Sequence, residues 1–172
     1  NSTFVNSTSA VGHGGALFLS SSDVLIDQCS FSGNTAGADA HAGAIFLESA
    51  VTTGVISNTS MIGNTCDENG GAIYVEGHQL SVTNCQLDSN TSNNSRGGAI
   101  YFDTYSSAVG ALSITNSNLS NNSSEDMGGA VFVRYDTLMV QGTTFRNNNS
   151  NTAGGAVAGQ SGNSDQFINC TM

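Results

Sequence analysis

Lysine is absent from this sequence, and only three arginines stand against 13 acidic side chains in 172 residues. A net charge of −10 would repel a phosphate backbone instead of neutralising it, so nucleic acid is not an expected partner. Long apolar runs are missing too. Nothing approaches the roughly 18 uninterrupted apolar residues of a membrane span, so no membrane insertion by this segment is expected. No basic-then-apolar leader opens the chain, which reads as a removed targeting signal or a fragment. Charged residues make up only 9% and apolar ones 38%, which is too apolar for a disordered acidic tail. The length suits a single domain, 1–172, with a real core. No stretch has the length or the 3.6-residue pattern of a helix.

What is present is one phrase said repeatedly. Small-residue triplets stand at Gly14-Gly15-Ala16, Ala42-Gly43-Ala44, Gly70-Gly71-Ala72, Gly97-Gly98-Ala99, Gly128-Gly129-Ala130 and Gly154-Gly155-Ala156, at steps of 28, 28, 27, 31 and 26 residues. A second phrase, apolar-x-x-Asn, follows the first five of them: Phe31 to Asn34, Met61 to Asn64, Leu87 to Asn90, Leu119 to Asn122 and Phe145 to Asn148. Between the two lies a short alternating strand such as Leu80-Ser81-Val82. Each unit thus offers three strand-like pieces separated by Gly, Asn and Ser turns, and no unit can bury its apolar face alone. Stacked units can, with each strand pairing in parallel with its counterpart about 4.8 Å away. The expected fold is all-β: a right-handed parallel β-helix, or β-solenoid, of about six coils of roughly 28 residues with three sheets. Leucine-rich repeats have a similar period, but their L-x-x-L-x-L phrase does not occur.

In that register Leu17, Ile45, Ile73, Ile100, Val131 and Val157 form an inward aliphatic column, with Leu19, Leu47, Val75, Phe102 and Val133 two places on. Asn34, Asn64, Asn90, Asn122 and Asn148 form a ladder able to pass amide hydrogen bonds from rung to rung. If Glu48, Glu76, Asp103 and Arg134 face water, alternation puts Phe18, Phe46, Tyr74, Tyr101 and Phe132 on the same outer face as a lateral-contact stripe. A one-residue bulge would instead turn that file into a core stack. The longer fourth coil predicts a protruding loop between Phe102 and Leu112 that carries Tyr105, with Thr104 to Ala108 dispensable for folding.

The tetrapeptides "GGAL", "AGAI", "GGAI", "GGAI", "GGAV" and "GGAV", alternating with "FSGN", "MIGN", "LDSN", "LSNN" and "FRNN", resemble the repeat of the polymorphic outer-membrane proteins, autotransporter adhesins first known from chlamydiae. The resemblance covers essentially the whole chain. It implies a passenger-type β-helix at a cell surface, used in adhesion and structure, with no catalytic residues to carry over.

Parallel β-helices also include pectin-lyase-like enzymes, whose sites need stacked carboxylates with a basic residue or Ca²⁺. The best acidic column is Asp39, Asp67, Asn94, Glu125, with Glu68 and Asp126 beside it; Asn94 interrupts it, and it reads as a solvated corner. His13 and His41 share a column, but no third zinc ligand of suitable reach is evident. Cys29 and Cys85 stand two rungs, or roughly 9.6 Å, apart, beyond the about 7 Å that a disulfide spans. Their column also holds Thr59, Ser117 and Thr143 and suits a small buried side chain. A threonine file at Thr35, Thr65 and Thr91 lapses at Ser123 and so lacks the flat array that ice binding needs. Of ten Asn-x-Ser/Thr sequons, Asn6, Asn93, Asn118 and Asn121 fall at turns or outward positions and are the glycosylation candidates.

These readings predict a non-enzymatic, extracellular or cell-surface β-solenoid forming a fibre or an adhesin stalk, with no cofactor. The chain reads as a segment of a longer solenoid or a filament subunit, and its expected partners are itself, end to end in a filament or longer array, and glycans or a host surface. The alternative is a carbohydrate-active enzyme or carbohydrate-binding module.

Overall fold

The computed structural model describes residues 1–21, 23–77, 79–105, 110–160 and 164–172. Its strands are all parallel and stack into four six-stranded sheets, one strand per coil in each sheet. The first sheet comprises Thr3–Val5, Ser30–Ser32, Ser60–Ile62, Gln86–Asp88, Asn118–Ser120 and Thr144–Arg146. The third begins with Leu17–Leu19 and Ile45–Leu47, the glycine-phrase strands, and the fourth contains the alternating strands such as Gln79–Thr83. The second sheet was not expected. It is made of two-residue strands such as Thr35–Ala36 and Thr65–Cys66 directly after each ladder asparagine, too short for any periodicity to announce them.

Registers follow the columns of the repeat: Ile73 pairs with Ile45 and Ile100, and Leu87 with Met61 and Leu119. These side chains, with Leu80, Leu112, Val82 and Ile114, form one continuous core. Burial of each aliphatic side chain contributes about 1.5–3 kcal/mol.

The asparagine ladder is complete. Asn34 Nδ2 donates to Asn64 Oδ1 at 2.8 Å, Asn64 to Asn90 at 3.0 Å, Asn90 to Asn122 at 3.0 Å and Asn122 to Asn148 at 3.0 Å. The second amide proton goes to the carbonyl of the first residue of the F-x-x-N phrase one coil back: Asn64 to Phe31 O, Asn90 to Met61 O and Asn122 to Leu87 O. The motif therefore records a hydrogen-bond circuit between successive coils. The paired glycines meet two separate demands. Gly70 has φ +74°, in the left-handed region, whereas a Cβ on Gly71 would overlap the Gly98 carbonyl oxygen and lie 2.6 Å from Thr91 N.

The cysteine column does more than fill space. Ser117 Oγ donates to Thr115 O at 2.9 Å and accepts the Cys85 N–H at 3.1 Å. Thr59 Oγ1 likewise donates to Ser57 O at 2.7 Å and accepts the Cys29 N–H at 3.2 Å. All four cysteines are free thiols.

The aromatic stripe is corrected. Phe46, Tyr74, Tyr101 and Phe132 are buried, at 3% exposure or less, and only Phe18 in the first rung is open at 49%. The chain between the second sheet and the glycine pair runs back over the outer face of the third sheet as a wall. That wall has its own coil-to-coil bonds: Ala42 N–H to Asn69 O, Gly70 to Arg96 O, Gly97 to Met127 O and Gly128 to Ala153 O. A second, lateral core of stacked rings lies beneath it, with centroids 4.9 Å apart for Phe46 and Tyr74, 5.0 Å for Tyr74 and Tyr101, and 5.3 Å for Tyr101 and Phe132. The wall residue of one coil covers the ring of the next: His13 lies over Phe46 and His41 over Tyr74. Phe18 has no such residue above it among the described ones.

Candidate functional site

Among the described residues, three places hold side chains with chemical potential. At the acidic corner the ligand oxygens of Asp39, Asp67 and Glu68 lie within 4.8 Å of one another. Asp67 accepts from the Asp39 N–H at 3.0 Å and from Asn94 Nδ2 at 2.6 Å. The corner is open to solvent, and Arg96 and Arg134 are held elsewhere, by Asp126 at 2.6 Å and Asp103 at 3.2 Å respectively. The carboxylate-plus-arginine set of a glycan-cleaving β-helix is not assembled there.

The histidines belong to the wall. His13 and His41 stack at 4.9 Å. His13 Nδ1 accepts the His41 N–H, and His41 Nδ1 accepts the Asn69 N–H, each at 3.1 Å. Both Nδ1 atoms therefore act as acceptors of backbone donors. Burial, and secondarily the neighbouring His13, lowers the His41 pKa to about 4.

The third place is the shoulder where the longer fourth coil departs from the repeat. Asp136 is 1% exposed. It accepts from the Thr104 N–H at 3.0 Å, from Thr104 Oγ1 at 3.0 Å and from the Gly110 N–H at 2.7 Å, tying together the two ends of the expected loop. Thr104 is buried and built into the fold, so it is not part of a dispensable insertion; residues 106–109 of that expected loop lie outside the described residues. Beside the clamp, the buried Asp103 accepts the Tyr105 N–H at 3.0 Å and pairs with Arg134, whose guanidinium lies 4.7 Å from the Tyr135 ring centroid and 5.8 Å from that of Tyr105. Tyr105 also shares a 3.0 Å hydrogen bond with the Tyr74 hydroxyl, at the edge of the lateral core. Both shoulder tyrosines have positive φ, 49° and 63°, and are 58% and 48% exposed.

A family model described as the Chlamydia polymorphic membrane protein repeat matches residues 58–76, the stretch running from the Asn58 corner through "MIGN" to "GGAIYVE". A protein of Chlamydia pneumoniae named "Probable outer membrane protein pmp20" is 34% identical over 122 residues, 67% of this chain. The chain is built of polymorphic-membrane-protein repeats. It spans about 7% of the length of that relative. No solved structure matches it. The repeat and the outer-membrane relative place the chain at a cell surface.

Within these polymorphic-membrane-protein repeats the shoulder lies outside both tetrapeptide motifs, which is why the repeat pattern gave no sign of the Asp136 clamp. The other predicted sites are distributed along the coils. Asn34, Asn64, Asn90 and Asn122 are fully buried. Asn6, Asn93, Asn118 and Asn121 are exposed, but Asn121 Nδ2 donates to Asp88 Oδ1 at 2.8 Å. The Ser120 hydroxyl binds the same oxygen at 2.6 Å, and these two bonds hold the Asp88 carboxyl below its usual pKa. Asn121 thus carries a structural duty in the repeat that its sequon alone did not reveal.

Proposed function

We propose that the chain is a non-enzymatic, surface-displayed β-solenoid that serves adhesion, its coils forming a rigid stalk and the shoulder of the fourth coil its point of contact. The observation that carries this reading is the division of labour among polar side chains. The ladder asparagines, the column hydroxyls, Arg96 and Asp136 are all engaged in joining one coil to the next. The clamped departure from the repeat, by contrast, turns Tyr105 and Tyr135 toward solvent. Loops held on a rigid scaffold are common sites of recognition, and the two family comparisons favour a surface protein.

The end faces complement the stalk. The first rung leaves a cleft of about 450 Å³ lined by Phe4, Leu17, Ile26 and Phe31. At the other face Phe167 and Ile168 are 43% and 41% exposed. Pairing of either end rung with a further coil, of a longer chain or of a second copy, would bury these side chains. Adhesion is tested by coating beads with the folded chain and with heat-unfolded chain, then counting beads retained on a cultured epithelial monolayer. Retention of the folded form well above the unfolded form is expected. Equal retention would sink the adhesive role.

A further inference from the structure

The geometry points to a binding site for neutral saccharides on the shoulder formed by Tyr105, Arg134 and Tyr135; the inference rests on the adhesive reading above and names its ligand class.

Backbone strain is the first observation. Most other positive-φ residues of the chain are glycine or asparagine, which tolerate that region. A bulky aromatic residue there is an outlier that persists only where the surroundings impose it. Two tyrosines adopt it side by side, at φ 49° and 63°. For Tyr105 the imposing group is visible: the buried Asp103 carboxylate holds its N–H while Asp136 fixes Thr104 next to it. Folding gains little from these rings, since about half of each remains in water. The strain is therefore unexplained by packing and accords with a pre-arranged surface.

Chemistry narrows the ligand. A sugar ring presents a face of C–H bonds that packs on an aromatic face, and a rim of hydroxyls that need both donors and acceptors. The shoulder supplies both kinds of contact. Arg134 is already fixed by Asp103 and by the Tyr135 hydroxyl, at 3.2 and 3.3 Å, so a ligand meets a donor array that is set in advance. Tyrosine, with few rotatable bonds, offers large amphipathic contact area at low entropic cost. Charge excludes the other polar classes. Arg134 faces Asp103, with Glu76 and Glu48 continuing the same column and Asp136 behind it, so a sulfated or carboxylated glycan meets net negative potential. A cationic ligand would be repelled by the Arg134 guanidinium, which lies beside one face of each ring and leaves the other face open. A neutral, polyhydroxylated ligand remains.

The test uses the whole 172-residue chain on an array of neutral oligosaccharides ending in glucose, galactose, mannose or N-acetylglucosamine, with heparin as the anionic comparison. Hits are confirmed by saturation-transfer NMR on the tyrosine signals. Binding to at least one neutral class is expected, weakened about tenfold or more in Tyr105→Ala and Tyr135→Ala and better kept in Tyr105→Phe, which retains the ring. The thermal midpoint of each variant controls for folding. Binding to no neutral glycan, to heparin alone, or equally well by a folded Tyr105→Ala/Tyr135→Ala double variant would overturn the proposal. Retention of beads on cells without glycan binding would also overturn it, while leaving the adhesive role standing with a protein as partner.

Discussion

Each ladder asparagine from Asn34 to Asn122 reaches both neighbouring coils. Asn64 Oδ1 accepts the Asn34 backbone N–H and side-chain amide, and its Nδ2 donates to Phe31 O and Asn90 Oδ1. Aspartate could accept there but not donate, and a longer amide would overrun the 0%-exposed site. Asn64→Ala therefore leaves the Asn34 N–H and one of its amide protons buried without partners, at roughly 1–3 kcal/mol each, and strips one bond from the Phe31 carbonyl. A total loss of about 4 kcal/mol is expected, which lowers the melting midpoint by roughly 10 °C with the β-sheet circular dichroism retained. A change under about 1 kcal/mol would show the ladder to be dispensable. This position was legible in the sequence because its requirement repeats at a fixed offset in every coil. The same holds for Gly71, whose missing Cβ is demanded by the next coil's backbone. Asn121 was not legible in the same way: its bond to Asp88 depends on an acid one coil back, in a column that otherwise holds Ser32, Ile62, Ser120 and Arg146, and a like set of Asp27, Ser57 and Asn58 stands at another corner.

The strand Ile100–Asp103 shows why an element can be predicted while its environment is misjudged. Alternation correctly separates Ile100 and Phe102 from Tyr101 and Asp103. The outward reading then fails because it takes Asp103 to face water, whereas Asp103 is fully buried and held by Arg134 and Tyr105. The run "AIYF" has no polar interruption until its end, which is the pattern of a strand covered on both faces. Its cover comes from glycine-, asparagine- and acid-rich wall segments that have no apolar periodicity of their own, and from the coil before. Phe132 tests the lateral core. It is 0% exposed, stacked on Tyr101, with the Arg96 guanidinium 5.0 Å from its centroid. Phe132→Ala should cost about 3–5 kcal/mol, read as a lower urea midpoint. An exposed contact stripe would predict a change within about 0.5 kcal/mol.

At the scale of the molecule, each coil touches little beyond its neighbours, so a local loss should loosen one end without melting the other. The histidines make pH such a perturbation. His41 has a folded pKa of about 4 against 6.5 when free. The unfolded ring thus binds its proton first, and the stability this group lends is full above pH 6.5 and lost as the pH falls towards 4. Protonation at Nδ1 would also turn an acceptor of the Asn69 N–H into a donor facing a donor. The groups around the ring are the stacked His13 and Tyr74, with the exposed Asp39 two residues away. Farther along the same lateral core Glu76 and Asp103 are raised by burial. Their contribution has the opposite sign, fading as the pH rises, so these two carboxyls in the third and fourth coils oppose the acid loosening that His41 sets in the second. Amide exchange should show the His41 and Asn69 N–H groups losing protection between pH 6.5 and 4.5 while those of Val131 and Val133 hold. The third coil already contains the remedy: Asn69 Oδ1 accepts the Arg96 N–H at 3.2 Å, in the role that His41 Nδ1 plays one coil earlier. His41→Asn should therefore keep the wall bonded and abolish the acid loosening of the first coils. If that variant loosens over the same pH range as the parent, the titrating histidine is not the cause.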